Sequence, residues 1–172
     1  MAGNALEAMY KILPDEAFRL CSKLDDDAKG KLFEQIITIY SQMGDNTSLD
    51  YFKNNLMKVF KNNRAKLIEK YTLLLIKLNI DAAIEEAAAT FKQRAVNDVS
   101  SLVRYAAMKS LKEISNHKSF LLKQSTDAAV TEKLKLDITT LNNELQQIMQ
   151  AEQDSEVMNK LKIEGLYTET PQ

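Results

Sequence analysis

From Leu49 onward, apolar residues recur at intervals of three and four: Leu49, Phe52, Leu56, Val59 and Phe60, then Leu67, Tyr71 and Leu74 after a polar patch at Lys61 to Arg64. This spacing is one face of an α-helix. It predicts a single long helix from Ser48 to Asn79, with any kink at Asn62-Asn63, because Asn is a weak helix former. Tyr71 to Leu78 is apolar almost all the way round and is expected in the core, with Leu74 and Ile76 as candidates for full burial. The first half of the same helix is basic and rich in Asn, as a working surface would be.

The same period runs through the rest of the chain. Leu6, Met9, Tyr10 and Leu13 predict a first helix, and Pro14 opens a second with Phe18, Cys21 and Leu24 inside. Asp25-Asp26-Asp27 suits the N-terminus of a third helix, which carries Leu32, Phe33, Ile36, Ile37 and Tyr40 to a stop at Gly44. After Asn79, Asp81 is expected to cap an Ala-rich helix lined by Ile84, Ala88, Phe91 and Ala95. A further helix, Val99 to Ile114, has Leu102, Val103, Ala106, Leu111 and Ile114 as its inner set, and a turn at Ser115 to His117 precedes a short helix from Phe120 to Lys123. Ser125-Thr126-Asp127 then caps a long amphipathic helix to about Lys160. Its seam of Leu134, Ile138, Leu141, Leu145 and Ile148 resembles a coiled coil for about two heptads.

No alternating strand-length run is bounded by turns, and four Gly and two Pro in 172 residues leave few breakers. The expectation is an all-α, single-domain helical bundle of about six to eight helices with a long amphipathic C-terminal helix. Residues 1–124 form its core, 125–162 the long coiled-coil-like helix and 163–172 a flexible tail. Helices of thirty residues span about 45 Å, more than a small domain's diameter of roughly 30 Å. The C-terminal seam is therefore expected to pair with a second copy of itself or to lie along Ser48–Asn79, with self-pairing and a homo-oligomer preferred.

Charge adds one global pattern. Residues 1–50 hold five Lys/Arg against nine Asp/Glu, residues 51–123 fourteen against six, and residues 124–172 four against nine. The segments are thus acidic, basic and acidic, although the net charge is only −1. The single cysteine, Cys21, cannot form an internal disulfide and reads as core filler. With no apolar run of membrane-spanning length, no membrane partner is expected, and the compartment is expected to be cytoplasmic, in a cell or infected host, or within a viral or phage particle.

Candidate chemistry is sparse. Counted from Asp25, a calcium loop would need oxygen ligands where Lys29 and Ile36 stand. His117 is the only histidine, and no phosphate-binding glycine loop or nucleophile motif occurs, so no catalytic residue, metal, cofactor or small-molecule substrate is expected. Asp98 to Ile114 resembles the second helix of a HEAT-type repeat at Val103-Arg104, Ala106-Ala107 and Leu111, with no second copy near a period of forty. Lys53, Asn54, Lys58, Lys61, Arg64 and Lys66 could contact phosphates and base edges if Ile36 to Phe60 formed a helix-turn-helix. The expected function is that of a non-enzymatic interaction or assembly protein, a subunit or accessory factor of a larger complex acting through protein–protein contacts. The alternative is a DNA- or RNA-binding subunit, similar in layout to small terminases, using the basic 53–66 face.

Overall fold

A computed structural model of the protein describes residues 35, 38, 40–42, 44–55 and 61–167. The helices expected from Leu6 to Leu24, and the acidic run at Asp25, lie outside the described residues. The fold is all-α. Among the described residues six helices have defined bounds: α1 (Asn46–Asn55), α2 (Lys61–Leu78), α3 (Asp81–Asn97), α4 (Ser101–Gln124), α5 (Ala128–Ala151) and α6 (Ser155–Ile163).

The organising element is α4. It packs against α2, α3, α5 and α6. Val103, Ala106, Ala107, Met108, Leu111 and Ile114 are at most 1% exposed, and Ser110 and Ser115 are buried beside them. Several of these side chains are small, so three long helices can approach α4 closely and bury faces of their own against it. Burying each larger aliphatic side chain contributes about 1.5–3 kcal/mol. The helix runs unbroken from Ser101 to Gln124, so the turn expected at Ser115 to His117 is absent and both residues are mid-helix. Leu102, expected inside, is 50% exposed.

The expected single helix from Ser48 to Asn79 is two helices. The rings of Phe52 and Tyr71 stack with centroids 5.8 Å apart and planes 5° from parallel. Nineteen residues of unbroken helix would hold them about 28 Å apart. Hence α1 lies against α2 rather than in line with it, and Asn62-Asn63 falls inside the first turn of α2. An aromatic train ties the region together. Tyr40 stacks on Tyr51 at 3.9 Å, Phe52 meets Tyr51 edge-on, and Phe91 of α3 meets Tyr71 edge-on at 6.0 Å. Burial pushes the Tyr71 hydroxyl up to about 12.

Within α2, Leu67, Ile68, Tyr71, Leu74 and Leu75 are buried, but Leu73 is 56% exposed and Ile76 only half-buried. The apolar run is therefore one-sided. On α3 the inner set is Ile84, Ala87, Phe91 and Ala95, with Ala87 in the place expected for Ala88. Asp81 does not cap this helix; it is the first helical residue, after an extended Ile80. Asp127 does cap α5, accepting from the Val130 N–H at 2.9 Å, and Asp45 takes the same role ahead of α1 through Ser48. Gly44 takes the left-handed conformation (φ +60) expected of a helix stop. A side chain there would be strained, and its Cβ would meet Lys77 Nζ at 2.6 Å.

The helix expected to run to Lys160 ends at Ala151, and α6 starts at Ser155. No glycine or proline lies at the break. Instead the Glu152 carboxylate bends back to accept the backbone N–H groups of Gln153 (3.1 Å) and Asp154 (2.9 Å). Asp154 then caps α6 by accepting from Glu156 and Val157. After the break the chain reverses, since Asp154 faces Arg104 while Glu164 reaches Lys109, about one turn further along α4. Val157 and Leu161 are buried on that side. Gly165 (φ +66) ends α6, the Leu166 N–H returns to the Leu161 carbonyl at 2.8 Å, and Leu166 and Tyr167 pack against the core.

Candidate interaction surface

The basic 53–66 stretch does not present one uninterrupted cationic row. On α1, Lys53 Nζ reaches Glu86 of α3 at 2.9 Å, and the bond to Glu86 raises its pKa. Asn54 and Lys66 are exposed. Arg64 turns inward: its Nε lies 3.3 Å from Asp98 Oδ2, and its side chain is only 16% exposed. Lys58 lies outside the described residues, and Lys61 begins α2. The structure therefore separates Lys53 and Arg64 onto different helices with different acidic partners.

Part of the charge asymmetry is satisfied inside the molecule. Cations of the basic segment meet acids of the C-terminal segment in Lys92–Glu144, Lys118–Asp137 (2.7 Å), Arg104–Glu152 (2.8 Å) and Lys109–Glu164 (3.7 Å). In the reverse sense, Lys133 of α5 reaches Asp81 and Glu85 of α3. The pairs made by Lys92, Lys109 and Lys133 are the more exposed and contribute little to stability singly, whereas Lys118–Asp137 and Arg104–Glu152 are largely shielded from solvent. Together the pairs to α5 align it on α3 and α4. Beneath them the seam residues Leu134, Leu141 and Leu145 are buried together with Met149, while Ile138 and Ile148 are half-buried. Their partner is α4, with a smaller contact to α3. The seam is thus occupied within one chain, by a helix that neither expected arrangement named. A groove of about 300 Å³ remains between α3, α4 and α5, with Ile84, Ile114 and Leu141 among its apolar lining and the Lys118–Asp137 pair at its edge.

The corner between α3 and α4 has the most specific construction. Asp98, whose side chain is fully buried, ends α3 and receives Arg64 from α2 and Arg94 from one turn back (3.1 Å). Its Oδ1 accepts the Ser100 N–H, which leads into α4, and its carbonyl accepts from Arg104 Nη1 at 3.0 Å. Arg104 also forks onto Glu152 through Nε and Nη2. The Glu152 bond raises the guanidinium pKa against the opposing effect of burial. Burial pushes Glu152 up, but Arg104 and the N–H groups of Asp154 and Gln153 outweigh it and hold the carboxyl below its ordinary range. Four helices meet on these charges. Around this clamp, Val96, Val99 and Leu102 point outward at 58%, 83% and 50% exposure.

Sequence inspection missed this corner. Arg94, Asp98 and Arg104 are near in sequence, but Arg64 and Glu152 lie 34 residues before Asp98 and 48 after Arg104, so no local motif announces the whole cluster. The one local signal was Val99 itself, a β-branched apolar residue inside the polar turn Asn97-Asp98-Val99-Ser100.

Two further groups complete the survey. His117 Nε2 sits 2.8 Å from Asn79 Oδ1, and Asn79 holds a left-handed φ of 51 at the end of α2. Burial, then Lys118, lowers the His117 pKa, with Asp81 opposing. On the outer side of α4, burial raises Glu113; Lys109 opposes this, and the charges of Glu69 and Glu164 add to it. Among the described residues, no group of three His, Cys, Asp or Glu side chains is placed to hold a metal ion, and no helix is long and apolar enough to cross a membrane.

These features define an all-α helical protein. No protein-family model, curated protein or solved structure matches the chain.

Proposed function

We propose that the protein is a non-enzymatic interaction or assembly factor, a subunit or accessory component of a larger complex that works by protein–protein contact. The observation that carries this reading is the α3–α4 corner. Three branched aliphatic side chains stand exposed at this corner, Val96 at the end of α3, Val99 on the turn and Leu102 at the start of α4, and the turn is held by Asp98, Arg64, Arg94 and Arg104. Apolar side chains on a rigid base lose little conformational freedom when covered, which suits the centre of a protein interface. The nucleic-acid alternative has less support, because Lys53 and Arg64 already face acids of the same chain.

The test is partner retention by the full chain against a Val99→Asp/Leu102→Asp variant. Both side chains are exposed, so the variant is expected to melt within a few degrees of wild type. Loss of co-purifying protein with folding intact supports the reading; unchanged retention overturns the assignment to this corner. The alternative is tested with Lys53, Lys58, Lys61 and Lys66 changed to Glu while Arg64 is kept, since Arg64 is structural. Salt-sensitive binding of short nucleic acids that this variant loses would favour it.

A further inference from the structure

The junction between α5 and α6 is a helix break without a helix breaker. Residues 151–155 are Ala-Glu-Gln-Asp-Ser, none of which forbids helix. What interrupts the helix is a set of side-chain acceptors. Glu152 Oε1 takes the N–H groups of Gln153 and Asp154, and Asp154 Oδ1 takes those of Glu156 and Val157. In a continuous helix these N–H groups would bond carbonyls four residues back. The competition is decided from outside, by Arg104 of α4, which grips both Glu152 oxygens at 2.8 and 3.1 Å.

The flap held by this grip is small. α6 has nine residues, too few for a stable helix by itself. It is anchored on α4 by Val157 and Leu161, by Lys160 over the Tyr105 ring at 5.6 Å, and by the Lys109–Glu164 pair. None of residues 152–154 has a side chain that bars the helical conformation, so α5 and α6 could in principle join as one rod from Ala128 to Ile163.

We propose that the Arg104–Glu152 fork is a latch on a two-state element: closed, it folds α6 back onto α4; released, residues 128–163 straighten into one helix. Straightening lifts Val157 and Leu161 off α4, uncovers the Tyr105 ring and presents these apolar side chains on a projecting arm. The closed form predominates in the free protein, because the open form exposes residues that are now buried.

The test measures the distance between spin labels at Thr139→Cys and Ile163→Cys, both exposed positions, in the full chain with Cys21→Ser. A straight helix puts these sites about 36 Å apart, and the folded-back form roughly half that. Wild type is expected to give the short distance. Glu152→Ala removes the grip and the oxygen that accepts two backbone N–H groups, and is expected to bring at least about a tenth of molecules to the long distance. Adding Gln153→Pro enforces a break without the latch and should restore the short distance. A folded Glu152→Ala variant with only the short distance overturns the proposal. So does a long distance that survives Gln153→Pro, because α6 would then have come loose rather than joined α5. If Glu152→Ala shows no cooperative melt, Glu152→Gln carries the test. It keeps an acceptor for the backbone but loses the ionic grip, and the presence or absence of the long distance decides the matter in the same way.

Discussion

Lys118 Nζ lies 2.7 Å from Asp137 Oδ2 across the α4–α5 interface, and the lysine residue is only 8% exposed. One turn away, Ser115 Oγ donates to Asn142 Oδ1 at 2.8 Å. Both bonds sit in an otherwise apolar interface, where polar groups fit one alignment only. They fix the register of α5 on α4.

Breaking one side of this pair should therefore cost more than removing both. Lys118→Met is expected to destabilise by about 1–3 kcal/mol, because Asp137 is left without its partner. Lys118→Met with Asp137→Leu should recover most of that loss. Urea unfolding of both variants measures it, and equal losses would mean that the pair is not coupled.

The C-terminal seam gives a second outcome. Leu141 and Leu145 are 5% and 3% exposed within the chain. Leu141→Asp with Leu145→Asp places two carboxylates against α4, so the variant should lose its cooperative melt rather than yield a folded monomer. Circular dichroism with light scattering separates these results.

In α2, neighbouring apolar residues should respond differently. Leu74 is 2% exposed, and Leu74→Ala should cost about 2–5 kcal/mol through lost transfer energy and a cavity. Ile76 is half-buried, and Ile76→Ala should cost about 1 kcal/mol or less. Similar melting temperatures for the two variants would contradict this one-sided burial.

Glu152 predicts the acid limb of stability. Its folded pKa lies below the ordinary value, so the unfolded state binds the proton more readily. The carboxylate's contribution is fully present above the unfolded glutamate value of about 4.3 and is lost as pH falls through the lower folded value. Glu152→Gln should be less stable than wild type at pH 7, and the gap should close below about pH 4. Denaturant midpoints from pH 7 to 3 provide the comparison.

What could be read from residue order was whatever depends on near neighbours. The helical period, the Asp127 cap, the Gly44 stop and the burial of Leu141 and Leu145 are all local, and the structure shows each of them. The features that escaped require a distant partner. At the break, Glu152 is bonded to Arg104, 48 residues earlier. The inward turn of Arg64 depends on Asp98, and the separation of α1 from α2 shows only in the contact between Phe52 and Tyr71. Periodicity also identifies an apolar stripe without naming its partner. The period of the C-terminal seam suits a second copy or the Ser48–Asn79 stretch as well as α4, which the structure uses, and Leu102 shares the period of an inner set yet faces out.

The placement of opposite charges on successive segments has a consequence for synthesis. A ribosome releases the acidic first segment and then the cationic middle of the chain, with the side of α4 that α5 will cover still bare. Its acidic complement follows only when Asp137, Glu144 and Glu152 have emerged. Until then the nascent chain combines unpaired positive charge with an open apolar strip, beside a polyanionic machine made of RNA. A released chain that ends just before α5 should therefore stick to ribosomes and aggregate, and extending it through Glu152 should abolish both effects.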